Sequence, residues 1–222
     1  MKFRSLVILP LFMLSLTACQ PETPDLEEDL VDVAQVEESV PENEEVECPI
    51  ENIPEGWWCH YFDPVAHMLL SDQFENYGFD RSGNFIAAET NTFIHVGGFP
   101  LLAFSPDAQV LLNEGKLKEY MFYEQAQFCR DTEECASDLI EDSFEEIELG
   151  GHSFLKYKVK IGMGEQEVLV LHYATLINDS LLDFSSSEGE QIPVPFGSES
   201  TVSSVMIDEV LFESMLETLK ST

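Results

Sequence analysis

The stretch 153–161 alternates with a period of two, apolar against basic from Leu155 onward. Leu155, Tyr157, Val159 and Ile161 fall on one face and Lys156, Lys158 and Lys160 on the other. A period of two predicts a β-strand. Gly162-Met163-Gly164 then supplies a tight turn, and 165–177 returns as a second strand containing the run Val168-Leu169-Val170-Leu171. A strand apolar on both faces is expected to be central and covered on both sides. With Met163 and Gly164 as the loop, Lys160 falls opposite Glu167 and Val159 opposite Val168, so charges and apolar groups both pair. Asn178-Asp179 marks another hairpin turn into a third strand at 180–186, with Leu182 and Phe184. The segment 145–149, ahead of Gly150-Gly151, adds a fourth strand to this meander.

Helical periodicity predicts two further elements. Asp208 can cap a final helix whose stripe holds Leu211, Phe212, Met215, Leu216 and Leu219, a face suited to packing on the sheet. An earlier helix is expected over 116–128, with Leu117, Tyr120, Met121 and Phe128 inward, and Ser105-Pro106-Asp107 can start a short one covering 110–112. Strand composition separated by turn residues recurs at 57–62, 74–79, 84–88 and 93–96, which read as further antiparallel strands. The fold class is α+β, an antiparallel meander flanked by helices. No internal repeat is present.

The amino-terminal segment has a different character. Lys2 and Arg4 precede an apolar run from Leu6 to Leu16, too short to span a bilayer of roughly 30 Å, so 1–18 reads as a signal peptide. Leu16-Thr17-Ala18-Cys19 resembles the bacterial lipobox. That resemblance implies a diacylglyceryl thioether on Cys19, cleavage before it, and acylation, palmitate being the usual chain, of the new amino terminus. Two or three acyl chains hold a protein on a membrane where one does not. By similarity to enterobacterial sorting, Gln20 after the cysteine, where inner-membrane lipoproteins often carry Asp, favours the outer membrane. The expected location is the bacterial cell envelope, facing the periplasm or the surface.

Composition sharpens this picture. The 222 residues are 44% hydrophobic and 11% aromatic, which excludes wholesale disorder and collagen-like repeats. Ten Lys and Arg stand against 43 Asp and Glu, a net charge of −33. Nucleic acid is excluded as a partner, because neutralising phosphates needs clustered basic residues. The charge divides as +2 over 1–19, −12 over 20–47 and −23 over 48–222. The 19–47 stretch, without an aromatic or a base, reads as an extended acidic tether beyond the anchor. The remainder, 48–222, is of a size for one domain. Its acidic surface also admits loose binding of divalent cations.

Apart from Cys19, the cysteines are Cys48, Cys59, Cys129 and Cys135, an even number in an exported chain, which predicts two disulfides. Of the three pairings, Cys48 with Cys59 and Cys129 with Cys135 each close a short local loop. No Cys-x-x-Cys supports a redox centre or a zinc ribbon.

Order of elements brings in a second resemblance. Early strands, a helix near 117–127, a meander carrying Gly-Gly and a terminal helix of the form Phe212-x-x-Met215-Leu216-x-x-Leu219 resemble the α/β/α sandwich of the PsbP and DcrB proteins. The likeness covers mainly 116–222. It implies an accessory or assembly factor bound to a membrane or larger complex, and it carries over no ligand residue.

Catalytic signatures are missing: there is no Gly-x-Ser-x-Gly, no His-Glu-x-x-His and no phosphate loop, and Asp80-Arg81-Ser82-Gly83-Asn84 is only a fragment of a calcium loop. His60, Asp63 and His67 lie within eight residues and would meet if the chain turned at Pro64, the kind of set with which a zinc hydrolase holds its ion. Spacing of that kind also arises by chance, so no metal and no cofactor is expected, and the enzyme reading stands as the alternative. His172 is expected as a hydrogen-bonded core histidine, and His95 and His152 carry no partner pattern. Lys156, Lys158 and Lys160 form a basic strip that could meet an acidic partner, although pairing with neighbours such as Glu167 explains it with less. Trp57-Trp58 beside Cys59 reads equally as a binding ledge or as core packing. The expected function is that of a lipid-anchored, non-catalytic accessory or interaction module with an envelope protein as partner.

Overall fold

A computed structural model describes residues 48–62, 65–76, 83–129, 137–163, 166–193 and 201–222, all within the unit Val46–Thr222. In chain order the elements are β1 (Trp57–Phe62), β2 (Ala66–Ser71), β3 (Glu75–Asn76), β4 (Gly83–Ala87), β5 (Thr92–Pro100), α1 (Pro106–Asn113) and α2 (Leu117–Phe128). There follow β6 (Ser137–Leu139), β7 (Glu145–Leu149), β8 (His152–Met163), β9 (Gln166–Ile177), β10 (Ser180–Glu188), β11 (Gln191–Pro193), β12 (Thr201–Ser203), α3 (Glu209–Leu216) and β13 (Lys220–Ser221). The main sheet runs β3-β4-β5-β10-β9-β8-β6, with β7 also pairing β8, and a smaller sheet runs β1-β2-β13. All of these pairings are antiparallel. The α+β class with antiparallel sheets is as the sequence predicts.

Both faces of the main sheet are covered, by different halves of the chain. One face packs Ile94, Tyr173, Phe184 and Phe154 against Phe212, Met215 and Leu216 of α3 and Met68 and Leu70 of β2. The opposite face packs Leu155, Tyr157, Val159, Ala174 and Leu181 beneath Ala108 and Leu112 of α1 and Tyr120 and Met121 of α2. β9 lies between β8 and β10, which accounts for its apolar run.

Local chemistry sets the ends of the helices. Ser105 Oγ accepts the Ala108 amide at 3.3 Å and Asp208 Oδ1 the Leu211 amide at 3.1 Å, so α1 and α3 begin at capping residues. Asn178 and Asp179 turn β9 into β10 with φ of 48° and 55°, the double left-handed turn that suits strand twist. Gly150 joins β7 to β8 at φ 60°, and a Cβ there would overlap the Glu217 carbonyl just past α3, so a side chain is excluded on two counts.

Several expectations are corrected. β8 ends at Met163 and β9 starts at Gln166, so the connection is 164–165 and Lys160 faces Leu169 while Val159 faces Val170. Moving the turn by one residue shifts each pair by two, which keeps every side chain on its expected face. Phe128, expected inward on α2, is 67% exposed at the last residue of the helix, where it borders an open hollow instead of packed core. Leu219 is buried, but α3 ends at Leu216 and Leu219 belongs to the turn into β13. The lysine face of β8 is roofed by α3, leaving the Lys156 side chain only 14% exposed. Of the strand expected over 74–79, Glu75–Asn76 is formed, and 77–79 lies outside the described residues.

Candidate functional site

Antiparallel registry aligns a row of polar side chains across five strands, on the face of the sheet that α1 and α2 cover in part, with Tyr157 at its covered end. Asn84 on β4 lies opposite His95 on β5, and His95 opposite Ser185 on β10. Ser185 in turn lies opposite His172 on β9, and His172 opposite Tyr157 on β8. Directly opposed residues project from the same side of a sheet, so the row occupies one face.

Each imidazole is clamped at the same nitrogen. Asn84 Oδ1 lies 2.6 Å from His95 Nδ1, and Asp183 Oδ2 lies 2.9 Å from His172 Nδ1. An amide oxygen and a carboxylate both accept, so each ring donates from Nδ1, and in the neutral ring the lone pair falls on Nε2. The His172 ring stacks on Tyr157 with centroids 4.8 Å apart and planes 12° apart, and Tyr157 stacks on Phe144 at 5.2 Å. The Tyr157 hydroxyl donates to Met121 Sδ at 3.3 Å, and burial pushes its pKa well up, so it stays protonated.

The row bounds a hollow of about 350 Å³ with a mixed lining. Ser185, Ser187 and Glu190 are polar, and Phe93, Ile161 and Val170 are apolar. Glu190 is held in place because Ser187 Oγ donates to its carboxylate at 2.5 Å and its own amide donates to Ser204 Oγ at 3.0 Å. His95 is exposed at the rim, yet desolvation by the protein around its ring lowers its pKa; the Asp183 and Glu190 carboxylates oppose that and His172 adds to it. A second hollow of about 330 Å³, between α2 and β8, shares Ile161 with the first and is lined mainly by Met121, Phe128, Leu139 and Val159.

The residues singled out by sequence are distributed elsewhere. Cys48 and Cys59 form a disulfide with Cα atoms 5.9 Å apart. Cys129 is also disulfide-bonded, while Cys19 and Cys135 lie outside the described residues. His60 on β1 is paired with Met68, and His67 on β2 with Tyr61, so the two imidazoles leave the small sheet on opposite faces. His60 packs among Trp58, Phe62 and Phe85 at ring distances of 5.7, 4.8 and 4.8 Å, and burial lowers its pKa to about 4. His67 is buried with neither nitrogen hydrogen-bonded, and burial and Lys220 lower its pKa. Asp63 lies outside the described residues. Among the described residues no group of three or more His, Cys, Asp or Glu is placed to hold a metal ion.

Trp57 and Trp58 are half-buried against the core, and Trp58 Nε1 donates to the Phe74 carbonyl at 3.2 Å. Lys156 Nζ meets Glu209 and Glu213 at 2.6 and 2.8 Å, Lys158 Nζ meets Glu209 at 3.3 Å, and Lys160 Nζ stands 4.0 Å from Glu167. The first two lysines thereby tie β8 to α3. Sequence reasoning passed over Asp183, Ser185 and Ser187, whose alternation along β10 is the one local signal of a polar face on that strand.

No protein-family model matches this chain, and no curated protein matches it. A crystal structure from Bacteroides thetaiotaomicron VPI-5482 is similar to it over 77% of this chain and 44% of its own, at 12% identity and a TM-score of 0.28. The chain therefore spans less than half of that protein, and a likeness of that size carries no argument. No helix among the described residues is long and apolar enough to cross a membrane.

Proposed function

We propose that the chain is a lipid-anchored protein of a bacterial cell envelope whose domain, 48–222, is a non-catalytic binding or accessory module. The observation that carries the reading is Leu16-Thr17-Ala18-Cys19, set behind a short basic and apolar leader and followed by twelve acids without a base over 20–47. The disulfide between Cys48 and Cys59, at the start of the domain, supports passage through an oxidising compartment. Supporting the finer reading, a PsbP-type sandwich, are the antiparallel sheet covered on both faces and the terminal helix α3. A binding role is supported by the hollow beside His95 and His172, where both imidazoles are oriented and Ser185 is bonded to neither.

The test is processing in a bacterial host. Globomycin, which blocks lipoprotein signal cleavage, is expected to trap a larger precursor in the membrane fraction, and Cys19→Ser is expected to abolish palmitate labelling. A chain matured normally under globomycin contradicts the anchor.

A further inference from the structure

The geometry points to a recognition site for an organic cation, a primary ammonium on an apolar stem, in the hollow flanked by His95 and His172. This rests on reading the domain as a binding module and is independent of the anchor.

Three observations converge on that ligand chemistry. The first is the shared tautomer. Asn84 and Asp183 each accept a hydrogen bond from Nδ1, so in the neutral rings both Nε2 atoms are acceptors, and neither has a protein partner among the described residues. Two imidazoles held this way ask for hydrogen-bond donors. The second is charge. The Glu190 carboxylate faces the hollow, the Ser187 hydroxyl proton is already committed to it, and among the described residues neither lysine nor arginine lines the cavity. The site therefore gathers acceptors and negative potential in a chain of net charge −33, whose field raises the local concentration of cations. The third is shape. Phe93, Ile161 and Val170 give the hollow apolar walls, which reward a hydrocarbon stem and gain nothing from a fully hydrated ion.

An ammonium group supplies three donors and the compensating charge, while its stem covers the walls. A carboxylate or phosphate meets only acceptors and is repelled. A sugar brings as many acceptors as donors, and half of them would face lone pairs here. Among the described residues a bare divalent ion finds no third ligand in reach.

Isothermal titration of the full chain in a non-ionic detergent at neutral pH, with hexylammonium as the probe and 1-hexanol and hexanoate as matched controls, reads the proposal. Saturable binding of hexylammonium alone is expected. His95→Ala and Glu190→Gln, both at the rim, should each weaken it about tenfold or more, whereas Glu148→Gln, exposed on β7, should leave it unchanged. Equal binding of 1-hexanol, preferential binding of hexanoate, or full affinity in both rim variants overturns the assignment. A second reading does not depend on variants that fold. In nitrogen NMR of the wild-type chain the two Nε2 signals should move on adding hexylammonium while both Nδ1 stay protonated, and unmoved signals also overturn it. Affinity should be the same in Cys19→Ser, so lost binding with the lipid in place sinks this site alone and lost lipid with binding retained sinks the anchor alone.

Discussion

His172 and Asp183 sit on neighbouring strands, two positions out of direct register, and the imidazole Nδ1 reaches diagonally to the carboxylate at 2.9 Å and 3.2 Å from its two oxygens. The side chains are 17% and 24% exposed, so the bond is shielded without being sealed. It fixes one orientation of the ring against Tyr157 and leaves Nε2 without a hydrogen bond among the described residues. Asp183→Ala removes the acceptor. The expected cost is about 1.5–3 kcal/mol of stability in urea unfolding, the range for a hydrogen bond to a charged group, together with the appearance of the Nε2-protonated tautomer in nitrogen NMR. An unchanged tautomer would show that stacking on Tyr157, and not the carboxylate, orients the ring.

The aromatic box around His60 makes a statement about pH. Burial lowers this pKa from 6.5 to about 4, so the folded ring is neutral where the unfolded one begins to take a proton. A folded value below the unfolded one gives stability that is complete above about pH 6.5 and is lost as pH falls toward 4. His60→Phe keeps the packing against Trp58 and Phe85 and removes that proton uptake. Urea midpoints of the variant should therefore decline less between pH 6.5 and 4 than those of the parent, with His67 leaving a residual slope of the same sign. Parallel declines would contradict the buried neutral ring.

Lys156 joins β8 to α3 through two carboxylates, and the Tyr173 hydroxyl donates to Glu213 at 2.9 Å in the same network. The Glu209 carboxyl is held below its ordinary value, chiefly by its hydrogen bond to Lys156. Truncating the lysine alone strands the acids, so Lys156→Ala should destabilise by about 2–4 kcal/mol, more than an exposed pair would. A double-mutant cycle of Lys156→Met with Glu213→Gln should return a coupling of about 1–2 kcal/mol. Additive effects would mean that the ammonium interacts with Glu209 alone.

Gly150 answers to its backbone and its neighbour together. Gly150→Ala must adopt φ 60° and push back the chain at Glu217, so a loss of about 2–3 kcal/mol is expected. Gly151→Ala, with open space around its Cβ, should lose less despite φ of 89°. Equal losses would assign the whole effect to φ.

Much of the second half of the fold was legible because its signals are local. Period-two alternation in β8, the Asn178-Asp179 turn and the Asp208 cap each act within a few residues, and each element formed close to where it was read. β2 escaped notice for the opposite reason. Ala66-His67-Met68-Leu69-Leu70 has no β-branched residue and no polar alternation, since all its positions are buried, and its strand state is imposed by β1 and β13. The site was legible only in fragments. Its five aligned residues come from positions 84, 95, 157, 172 and 185, and it exists because β10 pairs with β5 across the sequence of α1 and α2. No spacing rule reaches that far. His95 and His172 were visible as histidines, but their common face was set by long-range registry.

The account depends most on what becomes of Cys19. Mass spectrometry of the mature amino-terminal peptide, taken from the chain expressed in a bacterium and recovered from its membranes, reads that directly. A peptide beginning at Cys19 and carrying a diacylglyceryl group on sulfur is the result the account requires. A peptide beginning at another residue, or at Cys19 with a free thiol, would contradict it.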